Sequence, residues 1–471
     1  MPLYDIAFYG ASFFLAGISF ASLAFSAREV FIIAFISAAI LLGHGIFKKM
    51  RKAFILGVLL LLIFVGYFYF HFHSNYYKSD VRLNEQINFQ GVVSRYPERR
   101  EKSQKLTIEL LEPLRGTVAI YTQIYPRYFY GDLLDIGGEV QEGRNRAYFI
   151  SFPKIERVAA DQGGPVKKKL FAFKEKFISI FQNIFPPEEA ALLSGLTLGE
   201  RAEFSEEFRE KLSKSGTNHI VALSGYNIAL IVSLISILFS YFLSKKTAFY
   251  FTLAMIVLFV LATGAEASVV RAAIMGIIAL LAVHLGRMYS FRNAIVLAAF
   301  FMVLINPLVL VFDVGFALSF MALLGIVYVA PALRLFLGLK ESRGFLGWRE
   351  NMLATLSAQV AVIPILLQNF GALSPMSLPA NVLILSAIPF VTVFGFFIGF
   401  SGFVSLSLAK VLGWFLYPFL SYIIAVIKIF SAIGLQLNLG ISWFGAALYY
   451  ALLAGFVVWI GRRPISNTKN E

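Results

Sequence analysis

Long apolar runs recur along the chain and limit the folds that are open to it. A helix that crosses the hydrocarbon core of a bilayer needs about 20 consecutive, mostly apolar residues. Three such runs, 5–25, 30–47 and 53–72, lie close together at the start of the chain. Hydrophobic residues make up 58% of the 471 residues and charged residues only 14%, which is more apolar and less charged than a soluble domain. A soluble core cannot bury that much apolar surface, so the sequence predicts a polytopic α-helical membrane protein.

A second block of apolar runs predicts a transmembrane domain over 218–461, followed by a short cytoplasmic tail, 462–471. With the three N-terminal helices of residues 1–75, the total is about twelve transmembrane helices. Alternate crossings place the basic loops at 48–52 and 334–349 on one side, which the positive-inside rule assigns to the cytoplasm. We therefore expect a multi-pass protein of the cell membrane with both termini in the cytoplasm. The predicted spans of the second block are 219–243, 247–264, 267–286, 291–311, 313–335, 351–369, 377–401, 404–433 and 441–460.

Residues 76–160 interrupt the membrane pattern and predict a small water-soluble domain. Charged residues are frequent and nearly balanced there, and no window is long and apolar enough to span a bilayer. Turn signals such as Gly131-Asp132 separate short runs with the alternation of β-strands. Short strands in so small a domain indicate an OB-like β-barrel, and the alternate crossings place it outside the cytoplasm. The predicted strands are 87–94, 105–111, 117–124, 133–140 and 147–157.

Basic and aromatic residues lie close together in two segments of this predicted barrel. OB folds bind single-stranded nucleic acid through a basic groove and aromatic side chains on which bases stack. The same residues are also typical of ordinary solvated strands, and the balanced charge of the domain favours that alternative. Both interpretations stay open at this level. The DNA-binding candidates are Arg95, Tyr96, Arg99, Arg100, Lys102, Tyr125, Arg127, Tyr128 and Tyr130.

The linker, 161–217, contains two stretches with the pattern of amphipathic helices. A Gly-Gly-Pro break precedes the first stretch, 167–185, in which apolar residues recur at helical spacing opposite a basic face. This pattern is typical of a helix that lies in the membrane interface, so membrane lipid is an expected partner. The second stretch has an acidic face made of Glu203, Glu206, Glu207 and Glu210.

Polar residues within or beside the apolar runs are the candidate functional residues, because charged groups in hydrocarbon are costly. Prolines and amides at membrane depth favour broken helices around a polar cavity, and Gln359 and Asn381 lie among several prolines. Simpler explanations are snorkelling for Arg271 and helix capping for Asp313. The candidates are Gly199, Arg201, Ser215, Gly216, Thr217, His219, Ser224, Gly225, Asn227, Glu266, Arg271, Asp313, Gln359 and Asn381.

Several kinds of chemistry are disfavoured by the residues present. The chain has no cysteine, which excludes disulfides and thiolate metal sites. His71 and His73 are two residues apart and do not share a helix face, so we expect no metal site, and we expect no cofactor. Ser224 and His219 offer a nucleophile and a base, but no acidic residue nearby in sequence would orient the histidine. We therefore prefer a helix-packing role for Ser224 and expect no enzymatic activity.

Four polar-rich segments, by their order and spacing, resemble the ComEC family, the DNA-internalisation channel of natural competence. The segments are 196–231, 264–276, 306–331 and 359–390. Together they resemble the competence domain of that family over about 185–460, and the 76–160 domain resembles its N-terminal OB-like domain. The positions that match the motifs of the family are Gly199, Arg201, Ser215, Gly216, Thr217, His219, Ser224, Gly225, Arg271, Asp313, Gly315 and Ser319.

Two features depart from the family pattern. Tyr226-Asn227 stands where the family commonly has Leu-His, which removes a histidine from that motif. Longer members end in a metallo-β-lactamase-like domain, whereas this chain stops at Glu471. We therefore expect that degradation of the non-transported strand needs a separate nuclease.

The resemblance implies a channel that passes single-stranded DNA from the outside to the cytoplasm. A DNA receptor, a separate nuclease and a second copy of the chain are the protein partners that it leaves open. Passing a polyanion needs a polar path, cations that attract phosphate and contacts weak enough to release it. The net charge of +14 agrees with this. Two alternatives remain, a transporter of another anionic or lipid-linked solute and a membrane-embedded hydrolase that uses Ser224 and His219.

Overall fold

A computed structural model of the protein divides into two compact units, which are described separately. The first unit contains residues 1–171 and 231–316, and the second contains residues 172–230 and 317–471. The structure describes residues 3–22, 28–47, 50–76, 86–99, 102–112, 114, 116–142, 148–200, 204–221, 223, 225–339 and 348–462.

Helices make up most of the described chain, and the strands are concentrated in one segment of the first unit. The helices are α1 (Leu3–Ser22), α2 (Arg28–Phe47), α3 (Arg51–Tyr76), α4 (Pro165–Ile184), α5 (Pro187–Leu198), α6 (Glu206–Ser215), α7 (Gly225–Phe242), α8 (Lys245–Ala262), α9 (Ala267–His284), α10 (Phe291–Ile305), α11 (Val309–Phe312), α12 (Val314–Leu324), α13 (Ala330–Phe336), α14 (Trp348–Phe370), α15 (Ser377–Leu385), α16 (Ile388–Val404), α17 (Leu406–Ile433) and α18 (Trp443–Gly461), with a π-helical turn at Gly325–Val329. The strands are β1 (Gln86–Val93), β2 (Glu98–Arg99), β3 (Ser103–Leu110), β4 (Thr117–Gln123), β5 (Leu133–Glu139), β6 (Gln141–Glu142), β7 (Tyr148–Ser151), β8 (Lys154–Ala159), β9 (Ala372–Leu373) and β10 (Leu437–Asn438).

Within the described ranges, eight helices are long and apolar enough to cross a membrane, or nine if α15 and α16, which are bent by 53°, form one broken span. The predicted membrane class is confirmed, but the predicted count of about twelve is wrong. The turn at 218–221 delays the start of α7 to Gly225, and α10 ends at Ile305 because the residue before Pro307 avoids the helical conformation. The apolar helices that fall short of a span are Phe35–His44, Asn227–Phe242 and Phe291–Ile305.

In the first unit, glycines allow α1 and α3 to pack very closely. A Cβ atom added to Gly17 would lie 2.0 Å from the backbone oxygen of Ile63, and one added to Gly66 would lie 2.2 Å from the backbone oxygen of Phe14. Small residues favour such close approach in membranes, where the hydrophobic effect does not press helices together. A larger side chain at either glycine would push the two helices apart.

The strands of the first unit form an open sheet. Its strand order is β6-β7-β4-β3-β1-β5-β8, with β2 beside β3, so the path does not close. Phe152 has a φ of 49° and precedes Pro153, and this kink divides the last strand into β7, which pairs with β4, and β8, which pairs with β5. The prediction of a closed OB-like barrel is therefore wrong, and a small mixed β-sheet takes its place.

The core of this sheet follows from the alternation of apolar residues. Leu106 and Ile108 on β3, Ile120 on β4, and Leu134 and Ile136 on β5 are fully buried. Every second residue of a strand points to the same face, so these side chains meet on one side of the sheet. The β-type runs of the sequence thus identify both the strands and their buried face.

The basic amphipathic helix α4 buries its apolar face in the second unit. Phe177 and Phe181 are fully buried there. A Cβ atom added to Gly399 on α16 would lie 2.0 Å from the Phe177 ring, and one added to Gly402 would lie 2.5 Å from Ile180. Glycines on α16 therefore make room for side chains of α4. These side chains pack against protein, and the location of the helix in the membrane interface stays a prediction.

Pro364 interrupts the hydrogen bonding of α14, and α18 replaces what is lost. Proline has no N–H group, so the carbonyl of Val360, four residues earlier, has no partner within the helix. The Tyr449 hydroxyl of α18 donates to that carbonyl at 2.8 Å, and the Tyr450 hydroxyl donates to the Ala361 carbonyl at 3.1 Å. Compensation of this kind makes a proline tolerable inside a membrane helix.

Candidate functional site

The candidate site of the second unit lies where the end of α6 meets the start of α15. Helix α6 ends at Gly216, whose φ of 70° is left-handed. A Cβ atom added to Gly216 would also lie 2.6 Å from the Cβ of Ser377, so both the backbone conformation and the available space require glycine. The Ser374 hydroxyl donates to the backbone oxygen of Lys214 at 2.6 Å and ties the two segments together.

Neutral side chains form a continuous hydrogen-bonded network at this junction. Gln359 of α14 donates through Nε2 to the Ser377 hydroxyl at 2.6 Å. Asn381 of α15 donates through Nδ2 to the same hydroxyl at 3.3 Å, and its Nδ2 lies 3.1 Å from Nε2 of His219. Asn381 is only 1% exposed, so these partners fix its orientation. The fold thus unites three predicted candidates, although 162 residues separate Asn381 from His219.

His219 lies in the turn that precedes α7 and keeps an exposed surface. The backbone carbonyl of Gly216 accepts a second hydrogen bond from its ring. Because Asn381 faces Nε2, Nδ1 is the nitrogen left for this second partner. The tautomer with the proton on Nδ1, in which Nε2 accepts from the amide, fits both contacts. Desolvation by the surrounding protein lowers the pKa of His219 below its ordinary value of 6.5, even though part of the residue remains exposed. The ring is therefore neutral at neutral pH.

This geometry argues against His219 as the general base of a hydrolase. Such a base needs a ring nitrogen that faces the nucleophile, and both nitrogens of His219 have partners within the protein. Ser224, the predicted nucleophile, lies outside the described residues, as does Arg201. In the part of the chain that the structure describes, no group of three or more histidine, aspartate or glutamate side chains is placed to hold a metal ion.

The other motif residues of the second unit support this junction from inside the protein. Ser215 and Thr217 are fully buried, and their hydroxyl oxygens lie 2.7 Å apart. Asn227 is 2% exposed and donates to a backbone oxygen of α5 at 3.4 Å. Gly199 caps the end of α5 with a left-handed φ of 71°, and Gly225 is the first residue of α7. These residues hold the backbone in place around His219.

The candidates Glu266, Arg271 and Asp313 belong to the first unit. Arg271 lies on α9 and is 8% exposed, so it is a buried cation. Glu266 occupies the position immediately before α9. The Oδ1 atom of Asp313 accepts a hydrogen bond from the backbone N–H of Phe316 at 3.0 Å. That bond is typical of a helix N-cap, so capping is the role of Asp313 that the contacts support.

The loop between β4 and β5, together with Arg99 of β2, forms two pairs of an arginine and an exposed aromatic ring, and Arg99 itself is half-buried. Tyr125 is 64% exposed and Phe129 is 45% exposed. The Arg127 guanidinium lies 5.4 Å from the centre of the Tyr125 ring, and the Arg99 guanidinium lies 5.3 Å from the centre of the Phe129 ring. Cation–π attraction holds each guanidinium against its ring. We call Arg99, Tyr125, Arg127 and Phe129 the aromatic–arginine face.

A buried glutamine holds this loop in shape. Gln104 on β3 is fully buried, and its Nε2 donates to the backbone oxygens of Gln123 at 2.8 Å and Pro126 at 2.7 Å. Buried polar groups of this kind are kept for the hydrogen bonds that they make. Sequence reasoning did not identify Gln104 or Phe129. The run of aromatic and basic residues at 125–130 could have identified Phe129 as a further aromatic candidate. The residues next to Gln104 in the sequence form no pattern that indicates its role.

The remaining DNA-binding candidates are placed differently. Tyr128 is 3% exposed, and burial raises the pKa of its hydroxyl. Tyr128 therefore belongs to the core and offers no ring face for stacking, contrary to expectation. Tyr96 is half-buried beside Phe171, and Tyr130 packs on the same ring. Arg95 and Lys102 are exposed, and Arg100 lies outside the described residues.

A buried ion pair in the second unit was not predicted. Lys174 on α4 and Glu200 after α5 lie 2.9 Å apart, with side chains that are 5% and 8% exposed. The helical pattern assigned Lys174 to the solvated basic face, and its acidic partner is distant in the sequence. Desolvation makes such a pair costly to break from one side, so it locks α4 to the backbone that follows α5.

Comparison with known proteins agrees with the motif pattern. Residues 196–463 match the model of a family described as "Competence protein". The ComE operon protein 3 of Bacillus subtilis (strain 168) is 29% identical over 227 residues, which cover 48% of this chain and 28% of that protein. The match thus spans well under two thirds of the relative's length. No solved structure matches the chain. Because the family model covers more than half of the residues, the chain belongs to the Competence protein (ComEC) family.

Proposed function

We propose that the chain forms a membrane channel that passes single-stranded DNA into the cytoplasm. The observation that carries this proposal is the family match over 196–463, since this segment contains the junction around His219 and Asn381. The relative in Bacillus subtilis is described as a ComE operon protein, and DNA as the cargo of the present chain is the inference that we add. Both termini lie in the cytoplasm in this proposal.

The chemistry of the junction supports passage of a polyanion. A channel must bind its cargo well enough to admit it and weakly enough to release it. The side chains of Gln359, Ser377, Asn381 and His219 are neutral and hydrogen-bonded to each other. Ser377 and Asn381 are buried, whereas Gln359 and His219 keep exposed surface, so the surface of the junction is polar and has no ion pair that would trap phosphate. Arg271, buried in the first unit, supplies a cation that attracts the phosphate chain.

The aromatic–arginine face supports a separate role in capture. Bases of single-stranded DNA stack on aromatic rings, while basic side chains hold the backbone. Tyr125 and Phe129 offer exposed rings, and Arg99 and Arg127 add positive charge beside them. In the proposed topology this face lies outside the cytoplasm and receives the strand before it crosses the membrane. A DNA receptor and a separate nuclease would act at this stage, and a second copy of the chain remains an option.

Deletion of the gene in a transformable host tests the proposed function. We expect the deletion strain to take up no labelled DNA into the cytoplasm and to yield no transformants. Expression of the wild-type chain in the same strain restores both, and expression of the Arg271→Ala variant at an equal level restores neither. Normal DNA uptake in the deletion strain would contradict the channel proposal. Such uptake together with the loss of an anionic or lipid-linked solute would favour the alternative transporter.

A further inference from the structure

His219 combines two properties that are seldom found together. Both of its ring nitrogens have partners within the protein, the Asn381 amide at Nε2 and the Gly216 carbonyl at Nδ1. The residue nevertheless keeps an exposed surface. A histidine that served as a hydrogen-bond donor, acceptor or proton carrier for a ligand would keep a nitrogen available. A ligand that reaches this residue therefore finds no free ring nitrogen, and the faces of the ring are the groups left for it to contact.

The orientation of the ring is fixed by a chain of contacts behind it. Gln359 donates to Ser377 at 2.6 Å, Asn381 donates to Ser377 at 3.3 Å, and the Asn381 amide lies 3.1 Å from the histidine ring. Asn381 is 1% exposed and Ser377 is 8% exposed. Three elements, α14, α15 and the turn before α7, therefore meet to hold one neutral aromatic ring still.

A fixed and neutral ring fits a nucleobase better than it fits a phosphate. Single-stranded nucleic acids are bound by stacking their bases on aromatic rings, histidine included. Stacking tolerates every sequence because every base has a π-face, which suits a channel that must pass any strand. A protonated histidine would attract phosphate, but desolvation by the surrounding protein lowers the pKa of this ring and disfavours its charged form.

We propose that His219 is a stacking platform for the bases of the passing strand and that Asn381 is its positioning residue. The proposal rests on the proposed function and names the part of the DNA that this site contacts. It predicts that the affinity of the site depends on the bases of the strand and not on its phosphate groups. Binding of a strand without bases distinguishes these two kinds of contact.

Binding of short oligonucleotides to the purified full chain in lipid nanodiscs tests this prediction. One fluorescent probe is oligothymidine, and the other is an abasic strand of equal length and charge. We expect His219→Ala to weaken the binding of oligothymidine by about tenfold, as for the loss of one aromatic stacking partner, and to leave abasic binding unchanged. His219→Phe keeps a ring without nitrogens and should retain most of the wild-type affinity for oligothymidine.

Two outcomes would overturn the stacking role while leaving the channel proposal intact. One is a His219→Phe variant as weak as His219→Ala, because the nitrogens would then matter. The other is an equal loss for the abasic strand, because phosphate would then be the contact. A wild-type protein that binds neither strand contradicts the channel proposal itself. If His219→Ala does not fold, His219→Gln replaces it, since glutamine is polar and has no ring.

The positioning role of Asn381 has its own test. Asn381→Ala should weaken oligothymidine binding in the His219 background, because the ring loses the partner that holds it. In the His219→Phe background the same substitution should have little further effect on binding, because no nitrogen is left to accept the amide. A merely structural role predicts equal losses in both backgrounds. Equal losses would therefore remove Asn381 from the site.

Discussion

In the proposed channel, the aromatic–arginine face of the sheet and the junction around His219 both contact the DNA strand, but their chemistry is opposite. The face is exposed and charged, with Arg99 and Arg127 against aromatic rings. The junction is largely buried and neutral, and its side chains hydrogen-bond to each other. Charge attracts a polyanion from a distance and is screened by salt, whereas stacking and hydrogen bonding act only at contact. The contrast suggests that capture and passage are separated along the chain.

The largest effect that we predict concerns the buried ion pair of the second unit, Lys174 with Glu200. Lys174→Met leaves Glu200 buried without its cation, and we expect a loss of about 3–5 kcal/mol in the free energy of unfolding. Thermal unfolding in detergent, followed by tryptophan fluorescence, measures this loss. The control is Lys168→Met on the same helix. Its ion pair with Asp161 is exposed at 54% and 64%, so about 0–1 kcal/mol is expected. Equal losses for the two variants would contradict our assignment of Lys174 to the core.

The next prediction tests whether DNA uptake depends on the backbone geometry of the junction when its hydrogen-bonding side chains are unchanged. Gly216→Ala must strain a left-handed backbone and force a Cβ atom to 2.6 Å from Ser377. We expect DNA uptake to be lost while Gln359, Asn381 and His219 are unchanged. Gly434→Ala is the matched control, because Gly434 has a φ of 61° but the nearest atom to the new Cβ, the Ser431 backbone oxygen, would lie 3.6 Å away. It should cost about 1–2 kcal/mol for the backbone alone and leave uptake intact. Uptake that survives Gly216→Ala would show that the junction tolerates displacement.

A smaller predicted effect concerns the aromatic–arginine face. Removal of the ring in Tyr125→Ala or Phe129→Ala should weaken oligonucleotide binding by the full chain by about 1–3 kcal/mol. Arg99→Gln should instead lower the slope of log affinity against log salt by about one. Phe152→Ala is the control, because Phe152 is 64% exposed and lies outside the aromatic–arginine face. If Phe152→Ala weakens binding as much as Tyr125→Ala, the face is not the binding surface.

The smallest predicted effect concerns the kink of α14. Tyr449→Phe removes the hydroxyl that donates to Val360 at 2.8 Å, and we expect a loss of about 0.5–1.5 kcal/mol in stability. The effect should shrink in the Pro364→Ala background, because alanine restores the helical N–H that pairs with the same carbonyl. A double-mutant cycle measures this coupling. Full additivity would mean that the tyrosine does not substitute for the missing N–H.

Hydropathy and the alternation of apolar residues predict those features of the protein that depend on short stretches of sequence. The apolar runs identify the membrane class, and the alternation through β3 and β5 identifies a buried face. The errors arise where one residue changes a local pattern. The turn at 218–221 shortens a predicted span, and the kink at Phe152 divides a predicted strand in two. The most specific contacts, such as that of Asn381 with His219, join residues 162 positions apart. No local pattern in the sequence carries that information.

The contact between α18 and the kink of α14 also bears on how the chain is completed in the membrane. Ribosomes synthesise α14 well before Tyr449 and Tyr450 emerge, so until then the Val360 carbonyl lacks the hydroxyl that satisfies it in the finished fold. Leaving this carbonyl without a donor costs about the 0.5–1.5 kcal/mol expected for Tyr449→Phe. A chain truncated before α18 keeps this defect permanently. Translation through α18 therefore supplies the donors that the kink of α14 lacks.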